Sequence, residues 1–168
     1  MENTAQKLDS KEKKALKHIY EYSIKRQFIG KIGDESTVYQ VSTPESASDY
    51  LEALGIHQDD QENMIVLFLD TRNNIKGYQK VTRGLIDRSH VHPREIFRAA
   101  IMAGAAKVIL SHNHPSGDTS PSKQDITSNN NLTEAGELIG IKVIDHIIVG
   151  ERLGAFRWLS LRSSGHMS

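Results

Sequence analysis

At 168 residues, 38% hydrophobic and 25% charged, the chain has the length for one domain with an extra segment and the composition of an ordinary soluble protein. Its 21 Lys and Arg balance 21 Asp and Glu, and aromatic content is only 6%, so composition gives no electrostatic case for a nucleic-acid partner. No cysteine is present, which excludes disulfides and thiolate metal ligands; any metal must be held by His, Asp or Glu.

No apolar run approaches a membrane span, and Met1 to Ser10 is polar without the apolar centre of a signal peptide, so the expected address is the cytoplasm. Lys11 to Phe28 carries Lys11, Lys13, Lys14, Lys17, Lys25 and Arg26 against Glu12 and Glu21, with Leu16, Tyr20, Ile24 and Phe28 at helical spacing. It reads as a basic amphipathic helix whose apolar stripe packs on the domain or on a second copy, as in a homodimer, while its lysines face water. A nucleic-acid or anionic-surface contact is the alternative. After Gly30 and Gly33, Ser36 to Val41 is a short strand candidate. A helix follows, with Thr43 as its cap, Pro44 in its first turn and Gly55 closing it in a left-handed conformation.

Asp59 to Glu62 is acidic, and Met64 to Leu69 after it is an apolar strand of the kind covered on both faces. Asp70 to Asn74 reads as a turn and Ile75 to Ile86 as an antiparallel partner. His92, Pro93 and Glu95 are cap, first turn and third-position acid of a helix that carries Ile96, Phe97, Ala100 and Ile101 to a stop at Gly104. Ala106 to Leu110 is a strand. Asp125 to Leu138 reads as a helix closed by Gly140 and weakened by Asn129, Asn130 and Asn131. Ile141 to Val149 is a strand turned by Gly150, Ala155 to Leu161 is the last strand, and Arg162 to Ser168 looks frayed. There are no internal repeats. The order argues an α/β fold of mixed α+β kind, a mixed β-sheet flanked by helices with an extra amino-terminal helix. Its expected divisions are 1–41 as helical segment and lead-in strand, 42–162 as the domain, and 163–168 as a flexible tail.

The stretch Ser111 to Asp125, SHNHPSGDTSPSKQD, organises the rest. Residues two apart on a strand project from one face, so His112 and His114 aim two imidazoles at one point, about 6 to 7 Å apart along the chain. Pro115, Gly117 and Pro121 then force a turn, after which Asp125 can return a carboxylate to that point. Two neutral imidazoles and one carboxylate suit zinc and leave its fourth position open for water. Hydrolysis there also needs a carboxylate that moves protons, and the residues alone leave Glu62, Asp87, Glu95 and Asp118 open. Ser122-x-x-Asp125 doubles as a capping box that fixes where Asp125 points. Asp145 and His146 alternate faces of a strand; one of them is placed to orient a ligand imidazole, and a core histidine is the plainer reading of His146. His18, His57, His90 and His166 lack a partner pattern and read as surface residues.

His-x-His, seven residues, Ser, two residues, Asp is met by His112, His114, Ser122 and Asp125, and it resembles the JAMM signature of the JAB/MPN metallopeptidases. The wording of SHNHPSGDTSPSKQD and IDHIIVG resembles, more narrowly, the RadC branch, with a likeness running from Ser42 to Leu161. The resemblance implies a JAB/MPN-type mixed α/β domain and a peptidase or isopeptidase with one zinc ion per chain, acting on a peptide or protein conjugate. It implies that the glutamate just before the first long strand, Glu62 in QENMIVLFLD, is the general acid/base, with Glu95 of the RadC-like HPRE as its rival. It implies too that Ser122 polarises the carbonyl or holds the oxyanion. Two other readings stand beside it. One is a DNA-repair protein, although the helix-hairpin-helix region often found ahead of a RadC domain is not recognisable in Met1 to Ser42. The other is a metal-bearing interaction module without turnover, against which the complete ligand set counts.

Overall fold

A computed structural model of the chain describes residues 39–81 and 91–167. The amino-terminal helix expected at Lys11 to Phe28 lies outside them, as do Asp87 and the last part of the expected Ile75 to Ile86 strand. Of the lead-in strand, Gln40 forms a bridge to Asn74, flanked by the bonds Ile75 N–H to Tyr39 carbonyl and Val41 N–H to Asn73 carbonyl.

Helix α1, Pro44–Ala53, starts as its sequence dictates: Thr43 caps it with a side-chain oxygen on the Ser46 N–H, and Pro44 needs no donor there. Gly55 follows with φ +71, the left-handed conformation that favours glycine, and leads into a short 3₁₀ turn, Ile56–Gln58. Strand β1, Met64–Leu69, is buried at every residue. Strand β2, Ile75–Lys80, pairs with it antiparallel. Helix α2, Pro93–Met102, is capped by the His92 ring accepting the Arg94 N–H. Its buried side is Ile96, Phe97, Ala99 and Ala100, whereas Ile101, in the last turn, is 60% exposed.

Strand β3, Lys107–His114, extends past the apolar run through both histidines. Helix α3, Lys123–Ile139, runs unbroken through the three asparagines, because Leu132 and Gly136 pack inward and tertiary packing outweighs the modest intrinsic cost of asparagine in a helix. Strand β4, Lys142–Arg152, continues through Gly150, so the turn into β5, Ala155–Ser160, falls at Leu153 and Gly154 rather than at Gly150. Residues 163–167, expected as a flexible tail, are tied back: Ser163 N–H bonds the Ser160 hydroxyl, His166 N–H bonds the Leu161 carbonyl, and Met167 joins the core. The tail has a hydrophobic anchor that its polar wording hides.

The sheet runs β2-β1-β3-β4-β5, with β3 and β4 parallel across the α3 crossover and every other pair antiparallel. Side chains alternate between two cores. Val66, Phe68, Val108, Leu110 and Ile148 meet Ile96, Phe97 and Leu132 of α2 and α3 on one face. Ile65, Leu67, Leu69, Ile109, Ile147 and Val149 meet Ala47, Leu51 and Ile56 on the other. Each such aliphatic side chain taken from water contributes about 1.5 to 3 kcal/mol, so the central strands are the stable frame for anything built at their ends. His57, read from sequence as a surface residue, is buried against the Phe156 ring and lies 3.7 Å from Glu151.

Candidate metal centre

The register of β1 on β3 assembles the centre. Met64 lies opposite His112, and the Asn113 N–H bonds the Asn63 carbonyl, so the next step along the same antiparallel register sets Glu62 opposite His114. Residues 62, 64, 112 and 114 therefore share the face covered by α2 and α3. Asp125, in the first turn of α3, comes down onto that face. Glu62, His112, His114 and Asp125 each offer a ligand atom, and all four atoms lie within 4.8 Å of one another.

Three of the four side chains, His112, His114 and Asp125, are held from behind. His114 donates its Nδ1–H to the Asp118 carbonyl at 2.6 Å, which leaves its Nε2 with a lone pair. That Nε2 faces the His112 Nε2 at 2.9 Å, with the rings edge to face. Asp125 completes a capping box with Ser122: the Ser122 Oγ accepts the Asp125 N–H at 3.1 Å, and Asp125 Oδ2 accepts the Ser122 N–H at 2.8 Å. The other carboxylate oxygen, Oδ1, lies 3.5 Å from His112 Nε2. The capping oxygen Oδ2 also lies 3.8 Å from His114 Nε2, so both oxygens of this carboxylate face the histidine pair.

The loop between the histidines and α3 owes its path to two glycines. Gly117, at φ +74, would carry a Cβ 2.2 Å from the Glu151 carbonyl, and a Cβ on Gly150 would sit 3.0 Å from the Gly117 Cα. Only bare backbone on both sides lets the loop press onto the end of β4 and bring the Asp118 carbonyl under His114.

Burial governs protonation. His112 is 1% exposed and is held far below the usual histidine range, first by burial and then by the neighbouring His146 and His114 rings, with Asp125 pulling the other way. His146 is pushed down to about 3 by burial, with His114 adding to it. Both rings are neutral at ordinary pH, as a metal-binding imidazole must be. The donor chemistry therefore fits a divalent metal ion: two imidazole nitrogens and one carboxylate oxygen converge, with a second carboxylate beside them.

His146 is the member of the 145/146 pair that reaches the centre. Its Nε2 stands 2.8 Å from His112 Nδ1, while its own Nδ1 is buried without a partner among the described residues. An unsatisfied buried polar atom of that kind costs about 1 to 3 kcal/mol. Asp145 points to the opposite face, where it accepts bonds from the Ser160 hydroxyl and the Arg162 N–H, and burial raises its carboxyl above the usual range. Two candidate carboxylates do not join the centre. Glu95 pairs with Arg94 and Arg98 on the exposed start of α2, and the exposed Asp118 carboxylate accepts the Ser120 N–H. Asp118 takes part through its carbonyl, which no side-chain pattern announces. Asn113 is likewise marked by no sequence pattern. Buried between the two histidines but on the other face, it accepts the Asn63 N–H at 2.8 Å and donates to the Asp59 and Gln61 carbonyls at 3.1 and 3.0 Å.

Residues 41–166 match the family described as the RadC-like JAB domain. The chain belongs to that family. A UPF0758 protein of Methanococcoides burtonii is 44% identical over 108 residues, covering 64% of this chain and 45% of the relative. UPF0758 proteins of Bacillus cereus and Halalkalibacterium halodurans are 40% and 41% identical over 130 residues, covering 77% of this chain and 55% and 53% of theirs. The chain thus spans about half the length of the curated relatives it matches. Within this RadC-like domain, the mixed five-stranded sheet flanked by helices agrees with the fold expected from the sequence, and the residues of the JAMM-like pattern lie together at the ends of β1, β3 and the start of α3. No helix among the described residues is long and apolar enough to cross a membrane.

Proposed function

We propose that this RadC-like domain is a zinc-dependent hydrolase of amide bonds, a JAMM-type peptidase or isopeptidase. In this reading His112, His114 and Asp125 hold one metal ion and Glu62 moves the proton. One observation carries the reading: four ligand atoms of the right chemistry lie within 4.8 Å of one another, and the two histidines and Asp125 are each held from behind. When bound, the metal supplies a Lewis acid that polarises a carbonyl and makes water acidic near neutral pH. Zinc is favoured because the donors are nitrogen and oxygen and three of them leave a tetrahedral ion one position for chemistry.

The chain's own residues do the rest. Glu62 accepts a proton from the attacking water on a carboxylate oxygen and delivers it to the departing amine nitrogen, so the carboxylate ends the cycle as it began. Ser122 donates its hydroxyl to the carbonyl oxygen as that oxygen becomes anionic, a contact of the kind worth about 2.7 to 4 kcal/mol in kcat. His112 and His114 keep their Nε2 atoms aimed at one point because their other nitrogens are engaged. The substrate class is a peptide or a protein conjugate joined through an amide.

The test begins with metal analysis of protein purified without added metal, for which about one zinc per chain is expected. Glu62→Gln should then keep its zinc while hydrolysis, assayed on a panel of peptides and isopeptide-linked conjugates, falls by about 100-fold to 10,000-fold. Glu95→Gln should cost little. No zinc, and no gain on adding it, would sink the metal reading; an inactive Glu95→Gln beside an active Glu62→Gln would place the base on α2 and overturn the assignment to Glu62.

A further inference from the structure

We propose that His146 is a positioning residue for the metal centre, accepting the Nδ1–H of His112 on its Nε2 and so holding His112 in the one tautomer whose Nε2 can bind metal. The inference rests on the metal-binding reading above and goes beyond it, because His146 belongs neither to the four converging groups nor to the His-x-His pattern.

The argument is one of proton positions. A neutral imidazole carries one N–H, and the 2.8 Å contact between His112 Nδ1 and His146 Nε2 needs a single proton between them. If that proton belongs to His146, the proton of His112 sits on Nε2 and points at the His114 Nε2 2.9 Å away. His114 has its own proton on Nδ1, in the bond to the Asp118 carbonyl, so this arrangement links the rings in a chain and closes His112 to a metal. If the proton belongs to His112, its Nε2 lone pair and that of His114 face one point, as ligation requires. His146 then keeps its proton on Nδ1. Passing from the first arrangement to the second moves one proton within each of two rings and changes no charge.

Two further observations favour a role for His146 beyond packing. It is 1% exposed and its Nδ1 has no partner among the described residues, so it is a poor filler for a core that an aliphatic residue would fill without cost. A one-residue irregularity in the pairing of β4 on β3, where Val108 and Ile109 face Val143 and Asp145, turns His146 onto the histidine face.

The experiment uses the full chain loaded with zinc and reads affinity by competition with a chromogenic chelator. His146→Leu, which offers no acceptor, should bind zinc about 10-fold to 100-fold more weakly, and His146→Gln, whose amide oxygen can accept, should recover most of that loss. Nitrogen-15 NMR of the wild-type histidines supplies a readout that needs no variant. In the zinc-loaded protein it should show His112 protonated on Nδ1 and His146 protonated on Nδ1, with Nε2 of His146 bare. Wild-type affinity in His146→Leu, or a proton on His146 Nε2 in the loaded protein, would overturn the proposal while leaving the metal centre standing. A wild-type chain that takes up no zinc would instead remove the metal reading and this proposal with it.

Discussion

Asn113 accepts the backbone N–H of Asn63 at 2.8 Å, and through this contact the strand that carries both histidines also fixes the segment that carries Glu62. The same amide donates to the Gln61 carbonyl, so the chain is gripped on both sides of Glu62. Asn113→Ala would take the partner from the Asn63 N–H and the Asp59 carbonyl and leave the Gln61 carbonyl only its bond from the Asn63 side-chain amide, next to the buried end of β3. Three lost bonds in such a place should lower stability by about 2 to 4 kcal/mol in urea unfolding, with zinc content retained. A change under about 0.5 kcal/mol, the size of an ordinary surface substitution, would mean the grip is dispensable.

Gly117→Ala tests the loop. The added methyl group would meet the Glu151 carbonyl in a left-handed backbone position, so the loop must lift off β4 and carry the Asp118 carbonyl away from His114. Folding should survive because the sheet is untouched, but zinc affinity should drop by about 10-fold or more, the usual effect of freeing a ligand histidine. Chelator competition reads this directly, and an unchanged affinity would show that His114 keeps its aim without the loop.

The metal-free protein should lose stability in mild acid. His146 is held down to about 3 and His112 well below the ordinary 6.5, in both cases chiefly because burial disfavours the charged ring. In the window below 6.5 the unfolded chain therefore binds protons that the folded chain refuses. Stability is flat with respect to these groups above about 6.5 and falls as pH drops toward 3, each contributing up to about 1.4 kcal/mol per pH unit. His146→Leu removes one of them, so its urea midpoint should vary less steeply between pH 6 and 4 than that of the wild type. Identical slopes would mean that His146 protonates in the folded chain near its ordinary value.

Ser122→Ala separates capping from catalysis. Loss of the cap at α3 should cost about 1 kcal/mol in stability. If the hydroxyl also meets the developing oxyanion, kcat should fall by far more than that stability loss accounts for, about 100-fold or greater, at unchanged zinc content. A variant destabilised as expected but fully active would leave Ser122 as a cap alone.

The sequence determined by itself whatever depends on local chemistry. Unbroken apolar wording made MIVLFL a doubly covered strand, Thr43 and Pro44 opened a helix and Gly140 closed one, and the alternation of a strand put His112 and His114 on one face. The Ser122 to Asp125 spacing revealed both the cap and the returning carboxylate, because a capping box is a local structure. The family resemblance points to Glu62 ahead of Glu95, but that Glu62 lies beside the histidines while Glu95 does not is decided by the pairing of β1 with β3, since both glutamates stand near the start of an element. The anchoring of Met167 was likewise hidden, because one methionine in a polar tail becomes an anchor only when a core lies within reach.

Asp145 and His146 mark the boundary between the two kinds of information. Strict alternation from the inward-facing Val143 would put Asp145 on the histidine face and His146 on the other. The irregularity where Ile109 pairs with Asp145 inserts one residue into β4 and exchanges the two. A single residue out of step reverses every side chain beyond it, and its position is set by how β4 docks on β3, not by any preference of the residues in IDHIIVG. The sequence therefore determined that a histidine and an aspartate stood next to each other near the site, and only the tertiary pairing decided that the histidine would face His112.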